Sequence, residues 1–220
     1  MDSRLRAQAR AFAKHLEAAL LYGDVRTAET IARNAVSAGM ATSLIDDEVV
    51  RPAMARIGDR WAEGEISAGE EHVATEIVLR LLVLLREMET LTERRWHASV
   101  LLAALEGERH VVGLTMAADL LEDAGFRVLF AGGDLPLSGF ASLLDHHVPD
   151  LVAFTATMAS SLVTLDPAVR LAHQAGVKGA IAGGAAVANG HQPITGLQTI
   201  DAVGGVVQAV DGLLRRAALN

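Results

Sequence analysis

From residue 3 to about residue 92, apolar side chains recur at helical spacing, with glycine and proline as punctuation. This pattern predicts four or so helices. The first covers roughly residues 5–21 and stops at Tyr22-Gly23, where Asp24 is placed to cap a second over 25–38 that Gly39 ends. A third starts near Ser43, runs through Ile45, Val49, Met54 and Ile57 to Trp61, and holds Pro52, which predicts a kink or break. A fourth begins near Ser67 or Gly69, sets Val73, Ile77, Leu81, Leu84 and Met88 on one face, and ends in the charged run Glu93-Arg94-Arg95.

After Arg95 the period changes, and short apolar runs alternate with amphipathic stretches. Strands are predicted at 98–104, 127–130, 151–154, 180–182 and 202–203, with helices at 111–124, 138–147, 160–175, 185–190 and 206–218. The whole therefore reads as α plus α/β: a four-helix bundle over 1–95, then a flavodoxin- or Rossmann-like five-stranded parallel sheet domain over 96–220. The commonest order for five such strands is 2-1-3-4-5, and ligands then lie at the carboxyl ends of the strands.

Composition narrows the class. Of 220 residues 51% are apolar, ample for a buried core and too many for a disordered chain. No uninterrupted apolar run approaches the ~18 residues of a membrane span; the richest, from Ile77 to Leu85, contains Arg80. The N-terminus mixes charged and apolar residues without a hydrophobic signal core, so a soluble cytoplasmic protein is expected. The absence of cysteine excludes disulfides, thiolate-held metals and thioether-linked chromophores. Nineteen basic against 27 acidic residues leave a net −8, and both halves are acidic, so direct nucleic-acid binding is not expected.

The strand ends carry the candidate chemistry. After the first strand, Glu108 and His110 stand two residues apart, which suits a metal-ligating imidazole backed by a carboxylate and equally suits a solvated loop histidine. After the third come Thr155 and Thr157, and after the fourth Gly183-Gly184, a diglycine that permits close backbone approach to a ligand or simply makes a turn. After the second, Gly132-Gly133-Asp134-Leu135-Pro136 reads as a turn into a helix, with Asp134 or Ser138 as its cap.

In order, Glu108-x-His110-x-x-Gly113, Thr155-x-Thr157 and Gly183-Gly184 resemble the signature of cobalamin-binding domains: Asp-x-His-x-x-Gly, then Ser-x-Leu, then Gly-Gly. Forty-one residues separate Gly113 from Thr155 and 25 separate Thr157 from Gly183, close to that family's gaps. The turn Gly132-x-Asp134-x-Pro136 also looks like the family's second βα loop. The resemblance implies a base-off, His-on cobalamin, with His110 on cobalt, Glu108 behind it, Thr155 and Thr157 along the nucleotide tail, and Gly183-Gly184 making room. Glu108 for aspartate keeps the carboxylate, and Thr155-x-Thr157 for Ser-x-Leu keeps the first hydroxyl.

The resemblance extends to the helices, since cobalamin domains of this layout carry a four-helix bundle over the upper cobalt face. Trp61, nine intervening residues, and Glu71-His72 resemble the Trp-x9-Glu-His motif of CarH-type cobalamin photoreceptors. There the tryptophan packs over a 5′-deoxyadenosyl group and the glutamate bonds its ribose hydroxyls, roles that an indole plane and a carboxylate suit. Those photoreceptors begin with a helix-turn-helix domain, so this chain is not expected to act as a DNA-binding repressor by itself. Ala62 stands where some members place a second cobalt-ligating histidine. His72 and His97 read as core or surface residues rather than replacements for it, and His15, His146, His147, His173 and His191 as solvated.

The expected function is a non-enzymatic, stand-alone light sensor. It would bind adenosylcobalamin in the dark and change cap packing or association when light cleaves the cobalt–carbon bond, signalling through a homo-oligomer or an effector protein. A second, noncovalent bilin such as biliverdin, as in the photocobilins, also fits a cysteine-free chain. The alternative is a corrinoid methyl-carrier protein of a methyltransferase system, which shares the layout but ordinarily lacks Trp-x9-Glu-His. A self-sufficient mutase would need a barrel domain as well, and a flavin or receiver protein would make His110 accidental.

Overall fold

The computed structural model describes residues 3–88, 97–189 and 193–219. The chain divides into two compact units, residues 1–92 and 93–220.

In the first unit, α1 (Ser3–Leu21), α2 (Val25–Ser37), α4 (Arg51–Ala62) and α5 (Ala68–Met88) pack as a bundle, with α3 (Thr42–Ile45) a single turn. The local chemistry sets each boundary. Gly23 takes φ +65° to end α1, and Asp24 caps α2 by accepting the Thr27 N–H (3.0 Å) and hydroxyl (2.7 Å). Ser67 and Glu70 form a reciprocal capping box on α5: Ser67 Oγ accepts the Glu70 N–H (3.2 Å) and Glu70 Oε2 accepts the Ser67 N–H (2.7 Å). The expected break at Pro52 takes a specific form, a π-helical turn over Asp46–Val50 joining α3 to α4, in which Arg51 N–H reaches Asp46 C=O. Widening the helix just before Pro52 accommodates a residue that cannot donate to the preceding turn. On α5 the buried face is Ala74, Ile77, Val78, Leu81, Leu82 and Leu85, while Val73 is exposed, so the face lies about one position round from the expected one. The expected charged end, Glu93-Arg94-Arg95, lies outside the described residues.

In the second unit, five parallel strands run in the order β2-β1-β3-β4-β5, as the pattern predicts. They are β1 (Ser99–Ala104), β2 (Arg127–Phe130), β3 (Leu151–Thr155), β4 (Ala180–Gly183) and β5 (Leu197–Thr199). The connecting helices are α6 (Val112–Asp123), α7 (Leu137–His147), α8 (Leu162–Gln174), the single turn α9 (Ala185–Ala188) and, after β5, α10 (Val206–Ala217). Two-residue alternation sends Leu101 and Ala103 into a core with Phe140, Leu144, Leu165 and Val169, and Val100 and Leu102 into an opposite core with Leu114, Leu121, Phe126 and Val210. Burial on both faces explains why β1 and β3 are legible as continuous apolar runs. The fifth strand is a correction. Residues 197–199, not 202–203, pair with β4, because this short edge strand is only partly buried and its Leu-Gln-Thr sequence has no apolar run; Val203–Gly205 form a 3-10 turn into α10. Among the described residues no helix is long and apolar enough to cross a membrane.

Candidate functional site

The sheet brings three of the predicted segments side by side. Ala104, the last residue of β1, is in register with Thr155 of β3, and Thr155 with Gly183 of β4, so the loops after these strands emerge together. The site lies where the strand order reverses around β1.

Glu108 is fully buried in the loop after β1. Its Oε1 accepts the backbone N–H of His110 (2.9 Å) and faces His110 Nδ1 (2.5 Å), while Oε2 accepts the N–H groups of Thr157 (2.6 Å) and Met158 (3.2 Å). Burial by itself would raise the carboxyl pKa; the hydrogen bonds from the His110 ring and backbone and from Thr157, with a contribution from Ser161, overcome it and lower the pKa to about 2. An ionised carboxylate only accepts, so in the neutral imidazole the proton sits on Nδ1 and the lone pair on Nε2. His110 is partly exposed, whereas its carboxylate partner is dry. The buried Ser161 side chain, on the turn before α8, helps to lower the Glu108 pKa.

The glycines shape the same rim. A Cβ on Gly184 would lie 2.4 Å from Ala156 O, and its φ of +111° already excludes other residues, so the β4 turn presses directly on the 155–157 segment. At Gly183 a Cβ would meet the Ile200 side chain at 3.2 Å, whereas at Gly113, in the first turn of α6, it would enter open space. Thr155 is buried at the end of β3, and Thr157 is half-buried and contributes its N–H to Glu108.

The remaining predicted site residues belong to the helical unit and flank its α4–α5 turn. Trp61, in the last turn of α4, is 38% exposed; Glu71, in the first turn of α5, accepts the Thr75 hydroxyl (2.9 Å); His72 is exposed. His97 contacts Ala124 C=O through Nε2 (3.1 Å) and packs edge-on against Phe126, and His146 contacts Ser142 C=O, so both have structural partners. His191 lies outside the described residues.

Two corrections concern one residue the sequence assigned to another role and one it did not assign. Asp134 is not a helix cap: Pro136 occupies the position before α7, with no side-chain cap bond, and the Asp134 carboxylate turns instead to the Glu108 loop. Ser161 and the Met158 N–H join the site through the fold alone; no local spacing marks them.

Among the described residues there is no group of three or more His, Cys, Asp or Glu side chains able to hold a metal ion. What the site offers is one imidazole nitrogen with its tautomer fixed, and open space at Gly113 in the first turn of α6. That donor set fits a metal arriving with most of its ligands supplied by its own macrocycle, needing one axial nitrogen from the protein.

Comparison with known proteins agrees with that chemistry. Residues 13–86 and residues 98–211 match two family profiles, each described as a B12 binding domain. A trimethylamine corrinoid protein of Methanosarcina barkeri is 27% identical over 157 residues, covering 70% of this chain and 72% of its own. The HTH-type transcriptional repressor CarH of Myxococcus xanthus is 28% identical over 149 residues, covering 67% of this chain and only 49% of the repressor. The structure of the Methanosarcina barkeri monomethylamine corrinoid protein superposes with a TM-score of 0.75 at 16% identity, covering 91% of this chain and 97% of that one, and so shares the fold. These relatives overturn the light-sensor reading. The matches that run through most of both chains are to corrinoid proteins, whereas that to CarH covers half of a longer protein.

Proposed function

The chain belongs to the B12 binding domain family, and from that premise we propose that it is a corrinoid methyl carrier serving a pair of methyltransferases. The observation that carries this reading is the buried, ionised Glu108 that fixes the His110 tautomer. The corrinoid relatives support a carrier over a sensor.

In this reading His110 Nε2 would ligate the cobalt of a bound corrinoid. When bound, the corrinoid supplies a cobalt centre that accepts a methyl cation equivalent from one donor and yields it to an acceptor. The chain's own residues do the holding. Glu108 keeps the ring proton on Nδ1 and strengthens Nε2 as a donor; the Thr157 and Met158 N–H groups keep Glu108 in place and ionised. Gly113 leaves open space for the cofactor, Gly183 and Gly184 let the β4 turn close against Ile200 and Ala156, and Thr155 and Thr157 line the path of the tail.

The test loads the whole chain with methylcobalamin in the dark. A carrier retains it through gel filtration, shows a His-ligated absorbance spectrum that His110→Ala abolishes, and loses the methyl group when a methyltransferase and its acceptor thiol are added. Retention of adenosylcobalamin alone, with a light-driven shift in elution, would overturn the reading.

A further inference from the structure

The loop after β2 is fastened to the loop that carries His110, and we infer that Asp134 is a positioning residue for that histidine. It holds residues 107–109 in the shape that lets Glu108 orient the ring. The inference rests on the proposed ligation by His110 and gives a role to a residue of the second βα loop, outside the three elements that carry His110, Thr155 and Gly183.

Asp134 grips the residue before Glu108, Glu108 itself and the residue after it. Its Oδ1 accepts the Gly107 N–H (2.9 Å), its own N–H donates to Glu108 C=O (2.8 Å), and its Oδ2 accepts Arg109 Nε (3.2 Å) and Nη2 (3.0 Å). This loop has a demanding task, because it must bury Glu108 completely, leave the Arg109 side chain 82% exposed and return His110 to the carboxylate within three residues. Gly107 takes φ +84° to begin that reversal, and Asp134 itself sits at φ +57°, a left-handed conformation that a short polar residue tolerates better than most. Next to it, a Cβ on Gly133 would fall 3.0 Å from Val111 Cγ1 and 3.3 Å from Glu108 O, so the two loops lie in direct backbone contact. The backbone bridge of Leu105 with Leu135 and the hydrogen bond from Leu135 N–H to Ala104 C=O (3.0 Å) already anchor the base of the β2 loop. The carboxylate is therefore not needed for the sheet. What it adds is confined to 107–109, the segment whose shape decides where Glu108 and His110 meet.

The variants separate side chain from backbone. Asp134→Gly removes the carboxylate while accepting φ +57° without strain, and Asp134→Asn keeps an acceptor for the Gly107 N–H but loses the charge opposite Arg109. Each is titrated with hydroxocobalamin, alone and in the His110→Ala background, with thermal melting of the apo chain as a check on folding. We expect Asp134→Gly to weaken retention about tenfold and lower the His-ligated fraction, Asp134→Asn to restore most of both, and Asp134→Gly to cost nothing further once His110 is alanine. A second readout needs no cofactor: in the apo chain, NMR of the ring nitrogens should show Asp134→Gly converting the single His110 Nδ1–H tautomer into a mixture. Equal losses with and without His110 would overturn the inference, as would an unaltered tautomer. If His110→Ala by itself leaves spectrum and retention unchanged, the ligation reading fails instead, and the apo tautomer still reports on Asp134.

Discussion

Two of the places where the chain sets a glutamate close to a histidine come to opposite ends. Glu71 and His72 are consecutive on α5, where neighbouring positions point about 100° apart; Glu71 turns to Thr75 one helical turn on, and His72 is exposed. Glu108 and His110 are separated by Arg109 in a loop that reverses, so carboxylate and ring meet at 2.5 Å and Arg109 is left in solvent. Nearness in sequence is thus a poor guide to a working pair. A carboxylate orients an imidazole when it is dry and both of its oxygens are engaged, and only Glu108 meets those conditions.

The sharpest way to break the contrast is Glu108→Ala. It leaves the Thr157 and His110 N–H groups without their acceptor in a buried setting, at about 1–3 kcal/mol for each unsatisfied group. A loss of about 3 kcal/mol in urea unfolding of the apo chain is expected, together with a ~10–100-fold fall in hydroxocobalamin affinity. A change below about 0.5 kcal/mol would mean that the loop rearranges and the pair is not held as described.

Acid titration tests the same group without removing it. The folded pKa of Glu108, about 2, lies below its ordinary 4.5, so its ionised form stabilises the fold. That contribution is complete above pH ~4.5 and is lost as pH falls through the folded value near 2. At 1.36 kcal/mol per unit it amounts to about 3 kcal/mol at most. Other carboxylates, Glu17 and Asp150 among them, also sit below their ordinary values, so the discriminating quantity is the difference between the parent and Glu108→Gln. The variant should show a flatter stability profile between pH ~4.5 and ~2. Parallel profiles would show that Glu108 is not the group being titrated.

Two glycines sharpen the contrast by separating folding from cofactor space. Gly184→Ala drives a methyl group toward Ala156 O and forces an unfavourable φ, which should cost about 1–3 kcal/mol by thermal or urea unfolding and disturb the adjoining Thr157 N–H. Gly113→Ala meets nothing and gains helix propensity, so the apo chain should be unchanged or up to ~1 kcal/mol more stable. Its cofactor retention should nevertheless fall, because the methyl group enters the space read as the cofactor's. Unimpaired retention in Gly113→Ala would place the cofactor elsewhere.

The sequence made the architecture legible because period is a direct trace of burial. The change from helical spacing to short apolar runs marks the bundle and the sheet, and β1 and β3, covered on both sides, could hardly be missed. The edge strand β5 was misplaced for the converse reason, since partly exposed residues carry no apolar signal. At the site, the ordered spacing of Glu108, His110, Gly113, Thr155, Thr157, Gly183 and Gly184 pointed to three adjoining strand ends, and the register of β1, β3 and β4 sets those ends side by side. Ser161 and Asp134 were not legible as parts of it. Each acts on the His110 loop from a distant stretch of chain, and a short polar residue near a helix start looks the same whether it caps the helix or reaches across to another loop.

The smallest expected effect is at the second pair. Glu71 makes one hydrogen bond, to the Thr75 hydroxyl on its own helix, and such contacts on a partly solvated helix surface are worth about 0.2–0.5 kcal/mol. Glu71→Ala should therefore leave apo stability within about 0.5 kcal/mol of the parent, an order less than Glu108→Ala. Its value lies in a different measurement, competition between methylcobalamin and adenosylcobalamin for the loaded chain. A carrier has no ribose hydroxyls to recognise above cobalt, so Glu71→Ala should change the retention of both cobalamins alike. A loss confined to adenosylcobalamin would mean that this half-buried carboxylate, which the apo fold scarcely needs, was selecting the upper ligand, and the methyl-carrier reading would fall with it.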